Sequence, residues 1–231
     1  MSCTHNLEAR YIGGSYLDLA IYLQYFVYVF TSLFIIVSPI EATMVFVSLT
    51  QDASPAERDR ICVRTTLVAF SIAMVFALAG DMILRFFGIT VDSLRVAGGI
   101  LLFLVAIDML RAKPHKKVTQ AEIEDATTRE DISIFPLAIP LLTGPGTITT
   151  VIVHMGASNT LPEKMIVLLA ICLTFGATYA ILKSAEHIHD ILGVTGIMVF
   201  TRILGLILGA IAVDFVSVGA WNIYISMASG A

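Results

Sequence analysis

Two carboxylates lie in apolar segments of membrane length, where charge is hard to accommodate. Glu41 lies two residues beyond Pro39 inside a run from Ile21 to Leu49, and Asp214 lies deep in the last apolar segment. A charge at the centre of a membrane helix costs at least about 2.5 kcal/mol on insertion scales, so such a residue is a functional candidate by default. The chemistry open to Glu41 and Asp214 is ion coupling, the uptake and release of a proton or sodium ion. For Glu41 the plainer alternative is a carboxyl group hydrogen-bonded inside the bundle or facing a water-filled cavity. Asp108 stands close to Arg111 and so belongs at an interface, and Asp81 precedes Arg85 by four residues, the spacing of a helical ion pair.

Two apolar segments are interrupted by proline in corresponding places. Ser38-Pro39 interrupts the first, and Thr143-Gly144-Pro145-Gly146-Thr147 interrupts the run from Ile132 to Val153, with the prolines 145 − 39 = 106 positions apart. Proline removes a helix donor and frees the carbonyl four residues earlier, and in hydrocarbon each freed group needs a partner from protein, water or ligand. Pro39 taken alone is compatible with a plain kink. Glycine on both sides of Pro145 favours a true break, and Gly146 has no side chain to hold a ligand off the backbone. A broken helix points bare N–H groups at the gap from one side and carbonyls from the other, ends that suit a zwitterion such as an amino acid. The candidate substrate-binding residues are therefore Ser38, Pro39, Glu41, Thr143, Gly144, Pro145, Gly146 and Thr147. Thr143, Thr147, Thr150 and His154 form one helical stripe, whose hydroxyls suit a substrate or an interhelical hydrogen bond equally well.

Membrane helices must hold these groups. Hydrophobic residues make up 57% of the chain and charged residues 14%, with a mean hydropathy of +0.88, well outside the range of soluble domains. Apolar blocks predict six helices at about 21–50, 62–86, 94–111, 132–156, 163–186 and 196–221. The stretch from Phe87 to Leu110 reappears from Leu192 to Phe215, with Asp108 and Asp214 matching. Three helices per repeat is an odd number, so the second repeat enters the membrane from the opposite side. The expected fold is an all-α membrane protein of six transmembrane helices, arranged as two inverted three-helix repeats with helices 1 and 4 interrupted. The repeats cover 21–111 and 132–221, joined by a linker at 112–131 and flanked by segments 1–20 and 222–231. Arg58, Arg60, Arg64, Arg111, Lys113, Lys116, Lys117, Arg129, Lys183 and Arg202 fall on one side, against Arg10, Arg85, Arg95 and Lys164 on the other. That bias puts the linker in the cytoplasm and both termini outside it.

Paired interrupted helices point to a carrier that binds a small solute near the bilayer midplane. The alternatives are an intramembrane enzyme, a passive channel or an exporter of other small molecules. An enzyme is disfavoured by the lack of HExxH, GxSxG or a Ser-His pair on one helix. Two unequal breaks in one chain suit alternating access better than a channel ring. A drug exporter would show a larger aromatic-lined cavity, yet the single Trp, Trp221, stands at a helix end as an interfacial anchor. No phosphate-binding motif points to ATP, and no cofactor is implied. No basic tract with interleaved aromatics suits nucleic acid, so the expected partners are a small-molecule substrate, the lipid bilayer and a coupling proton or sodium ion, with a homo-oligomer left open. Glu8, Arg10 and Asp18 ahead of the first block suggest a retained helix, not a cleaved signal. Cys3, Cys62 and Cys172 do not form a disulfide framework. Glu186, His187, His189 and Asp190 make a poor metal site, because the two His point to different helix faces. Gly205 and Gly209, with Gly98-Gly99 at the matching place, predict close helix packing.

The motifs FPLAIPLLTGPGTI (Phe135 to Ile148), RVAGGILLFLVAIDML (Arg95 to Leu110) and TRILGLILGAIAV (Thr201 to Val213) carry a specific resemblance. From about Tyr25 onward the chain resembles the MarC family of bacterial inner-membrane proteins. The resemblance implies a six-helix inverted-repeat fold, a place in the bacterial inner membrane, and transport of small neutral amino acids such as glycine or alanine. The sequence departs from that family at the first break. Where relatives look like NPIGNIPxFxSLT, this chain reads SPIEATMVFVSLT, so Ser38 replaces Asn, Glu41 replaces Gly, and Met44 stands in place of a second Pro. Glu41 is expected to alter the pocket, either by selecting a cationic substrate or by adding proton coupling.

Overall fold

A computed structural model describes residues 4–111 and 132–229, with side chains from Leu19 onward. The expected linker 112–131, with Lys113, Lys116, Lys117 and Arg129, lies outside the described residues, as does Cys3. Every described regular element is helical: α1 (Thr4–Val37), α2 (Pro39–Leu49), α3 (Pro55–Phe86), α4 (Val91–Leu110), α5 (Ser133–Leu142), α6 (Pro145–Ala157), α7 (Leu161–Lys183) and α8 (Ala185–Ser229). Five segments are long and apolar enough to cross a bilayer: Leu19–Leu49, which joins α1 to α2, then α3, α4, α7 and α8. The α5–α6 pair, bent by 57°, makes a sixth when its two parts are taken together. The protein is therefore an all-helical, multi-pass membrane protein, and its outward faces carry the expected apolar residues, among them Leu67, Leu78 and Met82 on α3 and Ile203 and Leu206 on α8.

Helix starts follow local capping chemistry, whereas apolar blocks mark only the buried stretch. α3 begins seven residues before its apolar block, because Pro55 fits the first turn and the Ser54 hydroxyl accepts the Glu57 N–H. α7 begins at a full capping box: Thr160 Oγ1 accepts the Glu163 N–H at 3.4 Å, and Glu163 Oε2 accepts the Thr160 N–H at 3.2 Å. Ser54 and Thr160 keep the same offset as the two prolines. Thr160→Ala is expected to cost about 1 kcal/mol, read as a lower thermal midpoint of the detergent-solubilised protein. The chain is helical from Thr4, well before its apolar run, and α8 starts at Ala185, with Gly193 (φ 59°, ψ 176°) breaking it ahead of the apolar part.

Small residues set the packing. α4 and α8 lie antiparallel in close contact: a Cβ added to Gly99 would sit 2.9 Å from the Ala212 carbonyl oxygen, and one on Gly219 would sit 2.9 Å from that of Asp92. Gly205 packs on Met109 and Gly209 on Ala106, which is the role expected of the GxxxG. Gly98 faces Thr149 of α6 and Gly80 of α3 faces Ile152. α3 and α7 run antiparallel, with Cys62 beside Tyr179 and the Phe70 and Phe175 rings 6.1 Å apart. The end of the bundle where α7 begins is called the upper end below. At the lower end Arg58 donates to the Thr50 and Gln51 carbonyls at 2.8 and 3.0 Å and pairs with Glu186, tying the α2–α3 turn to the start of α8. At the upper end Asp81 and Arg85 form the expected i, i+4 pair at 2.9 Å.

Candidate functional site

α1 ends because Ser38 adopts the left-handed conformation (φ 51°, ψ 56°) immediately before Pro39. A non-glycine residue there costs about 1 kcal/mol or more. The backbone ladder resumes with the Ala42 N–H on the Ser38 carbonyl at 3.1 Å, so α2 continues the span begun by α1. Glu41 falls in the first turn of α2, where a carboxylate complements the positive helix end. It is buried, and the Ser38 hydroxyl donates to its Oε2 at 3.1 Å. Ser38 and Glu41 thus act as a pair across the break.

The second break is larger than the sequence suggests, for a residue-level reason. Pro136 and Pro140 lie inside the segment expected to be helical, and the residue before each is pushed into extended geometry: Phe135 at φ −125°, ψ 126° and Ile139 at φ −126°, ψ 125°. α5 is consequently a wide π-type turn and not the first half of an ordinary helix. Hydroxyls take up the carbonyls this irregularity leaves. Thr143 Oγ1 donates to Ala138 at 2.7 Å, Thr147 Oγ1 to Leu142 at 2.9 Å, and Thr65 of α3 to Ser133 at 3.1 Å. With those protons committed, Thr143 and Thr147 can only accept from a ligand. α6 then starts at Gly144-Pro145 with no side-chain cap and no acidic residue in its first turn.

The two breaks meet. A Cβ on Gly146 would lie 3.4 Å from Ile36 Cγ2, two residues before Ser38, and 3.1 Å from Leu102 Cδ2 of α4. Gly146 therefore lets the two interrupted spans approach each other, and the space it vacates holds Ile36 and Leu102. Pro145 is exposed, while Ser38, Pro39, Thr143, Gly144 and Thr147 are buried.

A separate cavity of about 430 Å³ opens at the upper end, between α1, α4, α6, α8 and the start of α7, whose Glu163 also lines it with its Oε2 on the Asn159 and Thr160 N–H groups. Of the sequence-predicted site residues it is lined by Asp214 alone; the others gather at the breaks. Tyr28 O–H donates to Asp214 Oδ2 at 2.9 Å. Also on the cavity wall, buried His154 has its Nε2 2.8 Å from Ser32 Oγ and its ring edge-on to Tyr28 and Phe215 at 5.5 and 5.6 Å. Ser32 Oγ also lies 2.9 Å from the Val29 carbonyl oxygen, to which it donates. One turn further toward the break, Thr150 Oγ1 is buried without a hydrogen-bond partner. The stripe Thr143, Thr147, Thr150 and His154 thus faces the bundle interior along its whole length and runs from the break to the cavity. Sequence reasoning missed Tyr25, Tyr28, Ser32 and Arg95 as site residues. The spacing of Tyr22, Tyr25 and Tyr28, three residues apart on one helix face, was a signal available in the sequence.

Asp108 is exposed near the end of α4, and among the described residues no three His, Cys, Asp or Glu side chains converge as a metal site. Cys62 and Cys172 are unbridged.

The chain is similar to many proteins of the same description. A UPF0056 membrane protein of Methanocaldococcus jannaschii is 45% identical over 194 residues, covering 84% of this chain and 95% of the relative. One from Aquifex aeolicus is 40% identical, covering 86% and 93%. The UPF0056 membrane protein YvbG of Bacillus subtilis is 33% identical, covering 85% and 94%. No solved structure matches the chain. The family described as "MarC family integral membrane protein" matches residues 23–224, nearly the whole of the described bundle. With the family model spanning residues 23–224 and relatives covered almost end to end, the chain belongs to the MarC family of integral membrane proteins.

Proposed function

We propose that the protein is a secondary carrier of a small solute, most simply a small amino acid, which binds where the two interrupted spans meet. The observation that carries this is the contact between the breaks, Ile36 beside Ser38 against Gly146 beside Pro145. The α6 start has no cap and no acid in its first turn, so its orphan N–H groups and positive helix end suit a carboxylate. The α2 start already carries its own carboxylate, Glu41, which suits an ammonium group. One molecule with both charges fits between them once Ile36 and Leu102 move aside.

In this reading the halves 21–111 and 132–221 are inverted copies that rock against each other, an arrangement supported by the antiparallel α4 and α8. The linker 112–131 lies in the cytoplasm, both termini lie outside it, and the upper cavity opens outward from a cytoplasmic (bacterial inner) membrane. Glu41 and Asp214 are the ion-coupling groups. No bond of the solute is made or broken.

Uptake into proteoliposomes tests this directly. Radiolabelled glycine, alanine and lysine are offered with and without an imposed proton or sodium gradient, to the parent and to Glu41→Gly. The expected result is accumulation of one of the neutral amino acids only under a gradient, with that dependence lost in Glu41→Gly. Accumulation of lysine in place of both would assign Glu41 to cation selection. No uptake of any of the three under either gradient would overturn the amino acid reading.

A further inference from the structure

We propose that the upper cavity is itself a binding site for a small zwitterion, with Asp214 holding the cationic group and Arg95 the anionic one. Both side chains line the cavity. Asp214 is exposed to it, its Oδ2 accepts from Tyr28 at 2.9 Å, and among the described residues no cation pairs with it. Arg95 is mostly enclosed, its side chain 13% exposed, and Nη1 donates to Asp92 Oδ1 at 3.2 Å. Asn222 of α8 donates to the same oxygen at 3.0 Å, which holds Asp92 and through it the guanidinium. One bond engages one of five N–H donors, leaving a fork for a carboxylate.

The α4–α8 register fixes the separation of the two charges. Gly219 packs against Asp92 and Val96, and Gly99 packs against the stretch from Ala212 to Val216. Asp214 therefore lies level with Gly99, and Arg95, four residues earlier on α4, stands one turn higher, about 6 Å along the axis. An ammonium group on Asp214 and a carboxylate on Arg95 bridge such a step through one or two intervening carbons. Tyr22, Tyr25 and Tyr28 supply an aromatic wall for the cation. The site rests on the carrier reading for its place in a cycle, as a staging point ahead of the breaks, but not for its binding chemistry.

The test is local to the cavity. In the full chain with Cys3, Cys62 and Cys172 replaced by Ser, Val218→Cys places a thiol on the cavity wall, and its maleimide labelling is timed with glycine or β-alanine present. The expected result is slowing of labelling by at least about tenfold at saturation. Asp214→Asn and Arg95→Gln each raise the half-protecting concentration by about tenfold or more, the size of a lost charge-assisted hydrogen bond, and Asp214→Glu retains protection. Equal ligand-free labelling rates and monodisperse elution verify that each variant is folded. Absence of protection by either zwitterion, or unchanged protection in Asp214→Asn and Arg95→Gln, overturns the site. Protection without uptake in proteoliposomes would sink the carrier reading and leave this site standing, and uptake without protection would do the reverse.

Discussion

Gly99→Val is expected to destabilise the folded protein by about 1–3 kcal/mol, the usual cost of overpacking a tight interior. The first added carbon would lie 2.8 Å from Val216 Cγ2 and 3.0 Å from Phe215 Cβ, contacts that side-chain rotation could partly relieve. The Ala212 carbonyl oxygen at 2.9 Å is backbone and cannot rotate away, so α4 and α8 must separate. That contact also sets the level of Arg95 against Asp214, so the variant should disturb the upper cavity as well as lower the thermal midpoint in detergent. Gly209→Ala is the control, because its added carbon meets Ala106 Cβ at an ordinary 3.7 Å. A Gly99→Val protein as stable as Gly209→Ala would mean that the helices do not pack in this register.

The glycines were readable in sequence for the same reason that the helices were: membrane helices gain little by burying apolar side chains against lipid of equal polarity, so close approach must be written into small residues. The recurrence of Pro39 as Pro145 likewise marked in the sequence where the two spans are interrupted. Two features were not legible. Pro136 and Pro140 sit in a run apolar enough to pass as helix, and their effect acts through Phe135 and Ile139, the preceding residues, whose extended geometry no hydropathy count registers. The upper cavity draws on α1, α4, α6, α7 and α8 at once. Arg95 counted only as a charge on one side of the bilayer, because its orientation by Asp92 and Asn222 is a contact between helices that lie far apart in sequence.

The two carboxylates singled out by depth have different surroundings. Glu41 is buried with Ser38 at the first break, whereas Asp214 faces an open cavity with Tyr28. His154, bonded to Ser32, lines the same cavity as Asp214, and the unpartnered Thr150 lies one turn from it toward the second break. In the proposed carrier, a solute passing along α6 from the cavity toward the breaks would give the buried Thr150 hydroxyl a polar partner.

The double variant Ser38→Ala/Pro39→Ala is therefore expected to abolish uptake, reducing the initial rate at least about tenfold, while leaving the fold at least as stable. Alanine at position 39 restores the N–H that proline lacks, so Ile35 regains a helical donor and α1 can run into α2 without a break. Alanine at position 38 takes the right-handed conformation, which removes the strain of about 1 kcal/mol that Ser38 carries at φ 51°. The lost Ser38–Glu41 hydrogen bond offsets part of that gain. Stability should change little or rise, and the far-ultraviolet helical signal should be kept. The healed helix would have no exposed N-terminal turn for Glu41 to cap and no gap facing Gly146. Uptake at the parental rate in a stable double variant would show that the first break is a structural kink, and the solute site would then have to lie at Pro145 and in the upper cavity alone.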